Sequence, residues 1–390
     1  MPGYELIGES ELEEIKLIFS NGGILFRQGF ENLRNNCYKV KDFENQFTQK
    51  LDSKHSLAVT SGTAALRVAL AALNIGPGDE VITSSFTFVA TVEAIIESGA
   101  IPKCVNIDET LNIDPQDLRN NISSNTKAVI AIHMLGTPAR LNEINAICKS
   151  KNLFLIEDTA WGCGGKLDNK YLGTWGDIGT FSFDFAKTIT TGEGGMITFK
   201  NKKLFEKAKA WHDHGHENNP DFPRWEDTRS GSGFNYRMNE LQGAIGIAQL
   251  GKLDYIVESQ RKNKDKIIKK ISQIEGINLR QTPPNSYETA DALIFFVKDS
   301  NLAKKCREEL LLKGIGTKIL PEAYTWHFAS TWTHMPELMN AHKGQIQERL
   351  KQSQEILQKC VSIPINVKMP DDIPNKINDA LEFAIMDSTI

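Results

Sequence analysis

Leu57-Ala-Val-Thr-Ser61-Gly-Thr-Ala-Ala-Leu66-Arg-Val-Ala-Leu70 carries two periodicities in one stretch. Leu57, Ala58 and Val59 form a short apolar run, as a buried strand does. After Ser61-Gly62-Thr63 the apolar residues Ala65, Leu66, Ala69 and Leu70 recur at helical spacing. A strand that turns directly into a helix is half of a βαβ unit, and the pattern repeats outward from here. Gly76-Pro-Gly-Asp79 marks a turn before a strand over 80–83. The spacing then predicts a helix over 89–97, a strand over 103–106, an apolar strand over 127–135 and a helix over 141–150. A strand over 153–156 ends in Glu157-Asp158, and 179–183 and 196–199 read as two more. Such alternation argues an α/β fold, a mostly parallel mixed sheet flanked by helices. Ligands of such sheets sit at the carboxyl ends of the strands.

Near residue 238 the texture changes. Leu241, Ala244, Ile245 and Ala248 share one face of a long helix predicted over 238–271. Beyond it a strand over 292–297, a helix over 302–312, a strand over 317–320 and a closing helix over 372–384 suggest a smaller α+β unit. The expected boundary lies inside the long helix, giving a large domain of residues 1–255 and a small C-terminal domain of residues 256–390. The first thirty residues are expected to return to the small domain or cap the cleft. A length of 390 residues suits that division. Hydrophobic residues at 40% and charged residues at 24% are ordinary for a globular protein. A net charge of −4 implies no strong attraction to nucleic acid or to an anionic membrane. The six cysteines form no C-x-x-C pair and read as free thiols of a reducing compartment. Met1-Pro-Gly-Tyr-Glu-Leu-Ile-Gly8 does not read as a signal peptide, and no apolar run approaches a membrane span. The expectation is a cytoplasmic protein.

Four places could carry chemistry. In Phe181-Ser-Phe-Asp-Phe-Ala-Lys187-Thr-Ile-Thr-Thr-Gly-Glu-Gly-Gly195 a lysine follows a strand and precedes a glycine-rich turn, where the backbone can approach a ligand closely. In a dry pocket such an amine loses its proton readily and can attack an aldehyde to form a Schiff base, the chemistry that pyridoxal phosphate uses. The plainer reading is a solvated surface lysine. Asp158, at the end of a buried strand, needs a partner. A pyridinium nitrogen would serve, and so would a helix N-terminus. Ser61-Gly62-Thr63 opens a helix, which makes either a phosphate site or an ordinary N-cap. Phe88, just past a strand end, is placed to stack on a flat ring or to pack in the core.

Taken in order, five segments resemble the DegT/StrS-type sugar aminotransferases of the fold-type I pyridoxal-phosphate superfamily. They are Thr60-Ser-Gly-Thr-Ala-Ala-Leu66, Thr87-Phe-Val-Ala-Thr91, Ile156-Glu-Asp158, the lysine–glycine segment and Phe234-Asn-Tyr-Arg-Met-Asn-Glu240. The similarity runs from about residue 40 to 260 and more weakly to Ser362-Ile-Pro-Ile365. The resemblance implies that Lys187 joins the cofactor and later shuttles a proton, while Asp158 pairs with the pyridine nitrogen. It implies that Ser61, Gly62, Thr63 and Ser182 hold the phosphate and that Phe88 stacks on the ring. The counterpart of Asn235 reaches the cofactor of the neighbouring subunit, which implies a homodimer with shared active sites. Trp161 departs from the family, which usually has Gln or His there to contact the ring hydroxyl. Its indole has only an N–H donor, so it either donates to that oxygen or narrows the pocket. Lys187, where dehydratase relatives have His, favours amino transfer over a sugar dehydratase. A non-catalytic sugar-binding homologue is the remaining alternative.

The family implies L-glutamate as donor and a carbohydrate carbonyl as acceptor, for surface polysaccharide or capsule building. The N-terminal segment, His212-Asp-His214-Gly-His216 and the run from Leu241 to Leu253 look nearest the 8-amino-3,8-dideoxyoctulosonate transaminase subgroup. That widens the acceptors from nucleotide sugars to a free keto-sugar acid or a short sugar phosphate such as a triose phosphate. The three alternating histidines lack a fourth ligand at metal spacing, so no metal is expected. Tyr324-Thr-Trp326-His327, with Trp332 and His334, either lines a carbohydrate pocket or packs as an ordinary loop.

Overall fold

The computed structural model describes residues 2–219 and 221–387. Met1, at the head of the N-terminal segment quoted above, lies outside the described residues, as do Pro220 and residues 388–390 at the end of the expected small domain. The strands of the first half are β1 (His55–Val59), β2 (Glu80–Ser84), β3 (Ile101–Val105), β4 (Thr126–Ile132), β5 (Phe154–Asp158), a hairpin of β6 (Lys166–Leu167) and β7 (Lys170–Tyr171), β8 (Ile178–Ser182) and β9 (Gly195–Phe199). Seven of them form one sheet in the order β1-β9-β8-β5-β4-β2-β3. The pairs from β3 across to β8 are parallel, and β9 runs antiparallel to both β8 and β1. The mostly parallel mixed sheet expected from the alternation is therefore present. Its strands are buried on both faces, which is why they read as near-continuous apolar runs. Leu57, Leu66, Leu70 and Ile197 belong to one core, and Ile82, Val129, Ile144 and Leu155 to another.

The second half adds β10 (Asn278–Leu279), β11 (Ser286–Tyr287), β12 (Ala292–Phe296) and β13 (Cys360–Pro364). β10, β12 and β13 form an antiparallel sheet, and β11 extends the β6–β7 hairpin. Helices Ser300–Leu312 and Ile373–Met386 cover the antiparallel sheet through Leu310, Leu381, Leu293 and Phe295.

Two expectations are corrected. Residues 317–320 are not a strand. The Lys318 N–H donates to Ser362 O (2.8 Å) and the Ser362 N–H to Leu320 O (3.2 Å), so the segment lies beside β13. Ile319 between them has φ +74°, a left-handed conformation that ends any extended run. The single long helix is two, Glu240–Gly251 and Leu253–Ile271, broken at Lys252. The first begins at Glu240 because the Asn239 side chain caps it, accepting from the Gln242 N–H.

The N-terminal arm touches both halves. The Gly3 N–H donates to Lys187 O (3.2 Å), and the Glu5 carboxylate accepts from the N–H groups of Val367 (3.3 Å) and Lys368 (2.7 Å). The Lys252 ammonium donates to Leu6 O (2.7 Å) and to Glu11 (2.6 Å). Gly3 is pressed against the lysine loop: a Cβ there would lie 2.9 Å from the Thr190 nitrogen and 3.0 Å from Gln249 Oε1. Gly251, at a helix end, has nothing within 4 Å of the same position. Gly3→Ala is therefore expected to cost about 1–3 kcal/mol by overpacking. Gly251→Ala should instead gain about 0.5–1 kcal/mol from helix propensity. Urea unfolding of both variants checks the opposite signs.

Candidate active site

Successive residues of a strand face opposite ways, so Glu157 and Asp158 at the end of β5 leave the sheet on opposite sides. Glu157 is fully buried and satisfied. It accepts from the N–H groups of Gly173 (2.8 Å), Trp175 (2.6 Å) and Gly176 (2.7 Å) and pairs with His133 Nε2 (3.1 Å). Burial alone would push its carboxyl up; His133 and the backbone donors outweigh that and hold it below the usual carboxylate range. Asp158 has less. It accepts from Thr91 Oγ1 (3.0 Å) and the Ala160 N–H (3.2 Å), and among the described residues no cation forms an ion pair with it. Burial pushes its carboxyl above the usual range, and the two hydrogen bonds and the Lys187 charge only partly oppose this. A buried carboxylate in that state is ready for a cationic N–H.

Lys187 stands on the loop that leaves β8. The Thr-rich run after it ties the loop to itself: the Thr191 N–H (3.0 Å) and Thr190 Oγ1 (3.1 Å) both donate to Phe183 O, and the Phe183 N–H donates to Gly194 O (2.8 Å). The Lys187 ammonium lies 3.4 Å from the centroid of the Trp161 ring. Burial, then the nearby Lys318 ammonium, lowers its pKa to about 8 against the pull of Asp291, Asp184 and Asp158. Near that pH half of the amine is neutral and nucleophilic.

Across the cavity, helix Gly62–Ala72 presents its N-terminus. Ser61 Oγ accepts from the Ala64 N–H (3.0 Å), so it is the N-cap that the plainer reading foresaw. Gly62 lets this helix end abut β8: a Cβ on it would lie 2.7 Å from Ser182 Cβ. Phe88 caps helix Val89–Glu97 and is 42% exposed, its ring 5.5 Å from that of His327.

Ser61, Gly62, Thr63, Phe88, Asp158, Trp161, Ser182 and Lys187 all line one cavity of about 360 Å³, a volume typical of small-ligand sites. Asn235 does not. It is exposed, outside this cavity, with its backbone bridged to Asp213 and its Oδ1 accepting from the Arg237 N–H (3.3 Å). The aromatic loop divides. His327 lines the cavity because the Thr87 N–H donates to its carbonyl (2.8 Å) and the Ala329 N–H to Ser85 O (2.9 Å). Burial lowers its pKa to about 4, so its ring is neutral. Trp332 is buried, its indole N–H on Thr325 O (2.9 Å), while Trp326 and His334 are exposed. The alternating histidines have separate partners, Arg27 and Lys209 for His212 and Asp227 for His216. Among the described residues no three His, Cys, Asp or Glu side chains are grouped to hold a metal.

Sequence reasoning missed Thr91, Lys318 and Asp291. Thr91 had a signal: it sits one helical turn after Thr87, whose Oγ1 it meets at 2.9 Å. Lys318 and Asp291 had none, lying far along the chain in segments without a recognisable motif.

The donor set fits pyridoxal phosphate: a free helix N-terminus for an anion, a carboxylate short of a cation, and an amine that deprotonates near neutrality. Comparison with known proteins agrees. Residues 31–382 match the model of the DegT/DnrJ/EryC1/StrS aminotransferase family. The GDP-perosamine synthase of Escherichia coli O157:H7 is 35% identical over 289 residues, 74% of this chain and 77% of that one. The dTDP-4-dehydro-2,3,6-trideoxy-D-glucose 4-aminotransferase of Saccharopolyspora spinosa is 30% identical over 322 residues, 80% and 81% of the two chains. Among solved structures, the aminotransferase from Psychrobacter cryohalolentis matches with a TM-score of 0.85 at 25% identity, over 98% of each chain. With a family match across nearly its whole length, this chain belongs to the DegT/DnrJ/EryC1/StrS aminotransferase family and is a pyridoxal-phosphate-dependent sugar aminotransferase.

Proposed function

We propose that the chain moves an amino group from L-glutamate to the keto group of a carbohydrate, with Lys187 moving the proton and Asp158 holding the cofactor ring nitrogen. The observation that carries this reading is the convergence of the Lys187 amine, the cation-free Asp158 carboxylate and a helix N-terminus on one cavity. In this reading residues 1–255 carry the cofactor and residues 256–390 close over it. Pyridoxal phosphate, when bound, supplies an electron-withdrawing ring that stabilises negative charge at the amino-bearing carbon.

The protein's own groups do the rest. Ser61, Gly62, Thr63 and Ser182 hold the phosphate, where backbone N–H groups and the helix dipole favour an anion. Asp158, oriented by Thr91 Oγ1 and the Ala160 N–H, keeps the ring nitrogen protonated. Phe88 offers a flat face to the ring. Lys187 takes a proton from one substrate carbon and returns it to another atom, a role open to an amine with a pKa near 8. A histidine at this position could move a proton but has no primary amine to form a Schiff base. Trp161 narrows the cavity beside the amine.

The two relatives named for GDP- and dTDP-linked sugars support a keto-sugar acceptor, and one of the same kind is proposed here for surface polysaccharide building. The proposed assembly is a homodimer. Asn235 is exposed beside exposed Phe234, and Trp225 and Phe30 are likewise large apolar side chains left open to solvent, of the kind that partners cover. In that arrangement Asn235 completes the partner's phosphate site.

Adding glutamate to the holoenzyme without acceptor should release about one equivalent of 2-oxoglutarate per chain, one half-reaction. If no amino acid yields a keto acid, amino transfer is wrong; if another amino acid does so instead, only the donor assignment falls. The loaded enzyme can then be offered nucleotide-linked keto-hexoses, keto-sugar acids and triose phosphates in turn. Asp158→Asn should keep bound cofactor, measured by absorbance, while kcat falls at least about 10²-fold. Unchanged turnover would remove the ring-nitrogen assignment.

A further inference from the structure

Trp161 has two ammonium groups against its ring. Lys187 lies 3.4 Å from the centroid and Lys318 lies 4.6 Å from it. Lys318 comes from the C-terminal half and is held by both oxygens of Asp291, at 2.8 and 2.7 Å. Asp291 is 2% exposed and Lys318 18%. A buried ion pair contributes little net stability by itself, so its placement asks for another reason.

Every part of this arrangement is fixed. Thr289 Oγ1 donates to Trp161 O (3.0 Å), so the segment that carries Asp291 also holds the Trp161 backbone. The Lys318 N–H donates to Ser362 O (2.8 Å), and Ser362 Oγ donates back to Lys318 O. Both carrier segments are strained: buried Ala290 has φ +58° and Ile319 has φ +74°. Left-handed backbone costs a non-glycine residue about 1–2 kcal/mol, and a β-branched one is an outlier there. Strain that persists on both sides of one ion pair marks a place where the surroundings over-determine the geometry.

We propose that Lys318, aligned by Asp291, is a positioning residue for Lys187: both ammonium groups meet at the Trp161 ring, and the charge of one disfavours a second charge on the other. This rests on the assignment of Lys187 as the reacting amine. Lys318 and its Asp291 partner are largely buried, so the charge is felt more strongly than across open solvent. The other groups facing Lys187 are Asp184 on its own loop, Asp158 on β5, Glu193 on the glycine turn and neutral His327. Removing the Lys318 cation therefore makes Lys187 hold its proton more firmly. Removing the Asp291 anion leaves Lys318 unopposed and does the reverse. Damage to packing alone would not give opposite signs.

The test uses Lys318→Met, Lys318→Arg and Asp291→Asn with two readouts. One is the pH midpoint of the visible absorbance of pyridoxal phosphate bound to the holoenzyme. The other is the pH dependence of Lys187 acetylation by acetic anhydride in cofactor-free protein, read by mass spectrometry. Lys318→Met should raise both midpoints by about one pH unit, and Asp291→Asn should lower them by roughly half a unit. Lys318→Arg should stay close to the parent. If Lys318→Met does not fold, Lys318→Gln takes its place. Midpoints that stay put, or that move the same way in the Met and Asn variants, overturn the proposal. Acetylation reads Lys187 whether or not the protein transfers amino groups. Opposite midpoint shifts without amino transfer uphold positioning alone, and amino transfer with unmoved midpoints removes positioning alone.

Discussion

Two adjacent carboxylates buried at the end of one strand are the constraint on which the rest of this structure depends. Desolvating Glu157 and Asp158 together would be prohibitive if both lacked donors. The fold resolves this asymmetrically. Glu157, on one side of the sheet, takes three backbone N–H groups from Gly173, Trp175 and Gly176, together with His133. Those bonds also fasten the connection between β5 and β8, so the first carboxylate anchors the chain just upstream of the lysine loop. Asp158, on the other side, has two neutral donors and no cation among the described residues. One carboxylate is structural because it is saturated, and its neighbour is available because it is not.

The remaining parts of the cavity follow from topology. β1, β2, β5 and β8 present their carboxyl ends to the same side; Asp158 and Ser182 are the last residues of β5 and β8, and the turns after β1 and β2 carry Ser61 and Phe88. Each of these residues lies at a strand end or within four residues of one, so they fall close together. The antiparallel strand β9 fits between β1 and β8, and the return that feeds it is the loop bearing Lys187. Gly62 and Gly195 then allow close approach: a Cβ would meet Ser182 at 2.7 Å in one case and Ser61 O at 2.4 Å in the other. The N-terminal arm closes the back of the loop through Gly3 and Lys187 O.

Much of this was legible in the chain because it is local. A strand run into Ser-Gly-Thr and a helix, a strand ending in Glu-Asp, and a lysine before a glycine turn each report on residues within one supersecondary unit. The same locality explains the errors. Nothing near residue 252 showed that Lys252 would turn to meet Leu6 and Glu11 and end a helix there. The apolar character around 317–320 gave no sign that Ile319 takes a left-handed conformation imposed by contacts with β13. Within the aromatic loop, composition alone did not separate His327, which lines the cavity, from Trp326, which is exposed. That division is set by the backbone bridge between Phe86 and Phe328.

Trp161 joins these two classes of information. From the sequence it is only a departure from the family pattern, a bulky indole where a polar side chain usually stands. In three dimensions it is the surface through which the C-terminal half meets the lysine, with Thr289 on its carbonyl and Lys318 on its ring. A polar side chain at this place offers hydrogen bonds but no indole face. An indole can do more, because it has two faces and an edge. It packs against the amine, and its ring electrons attract a cation from a distant segment. The substitution therefore moves control of the site from a contact with the cofactor toward a contact between the two halves of the chain. The residues that exercise this control, Asp291 and Lys318, fall where local pattern is silent.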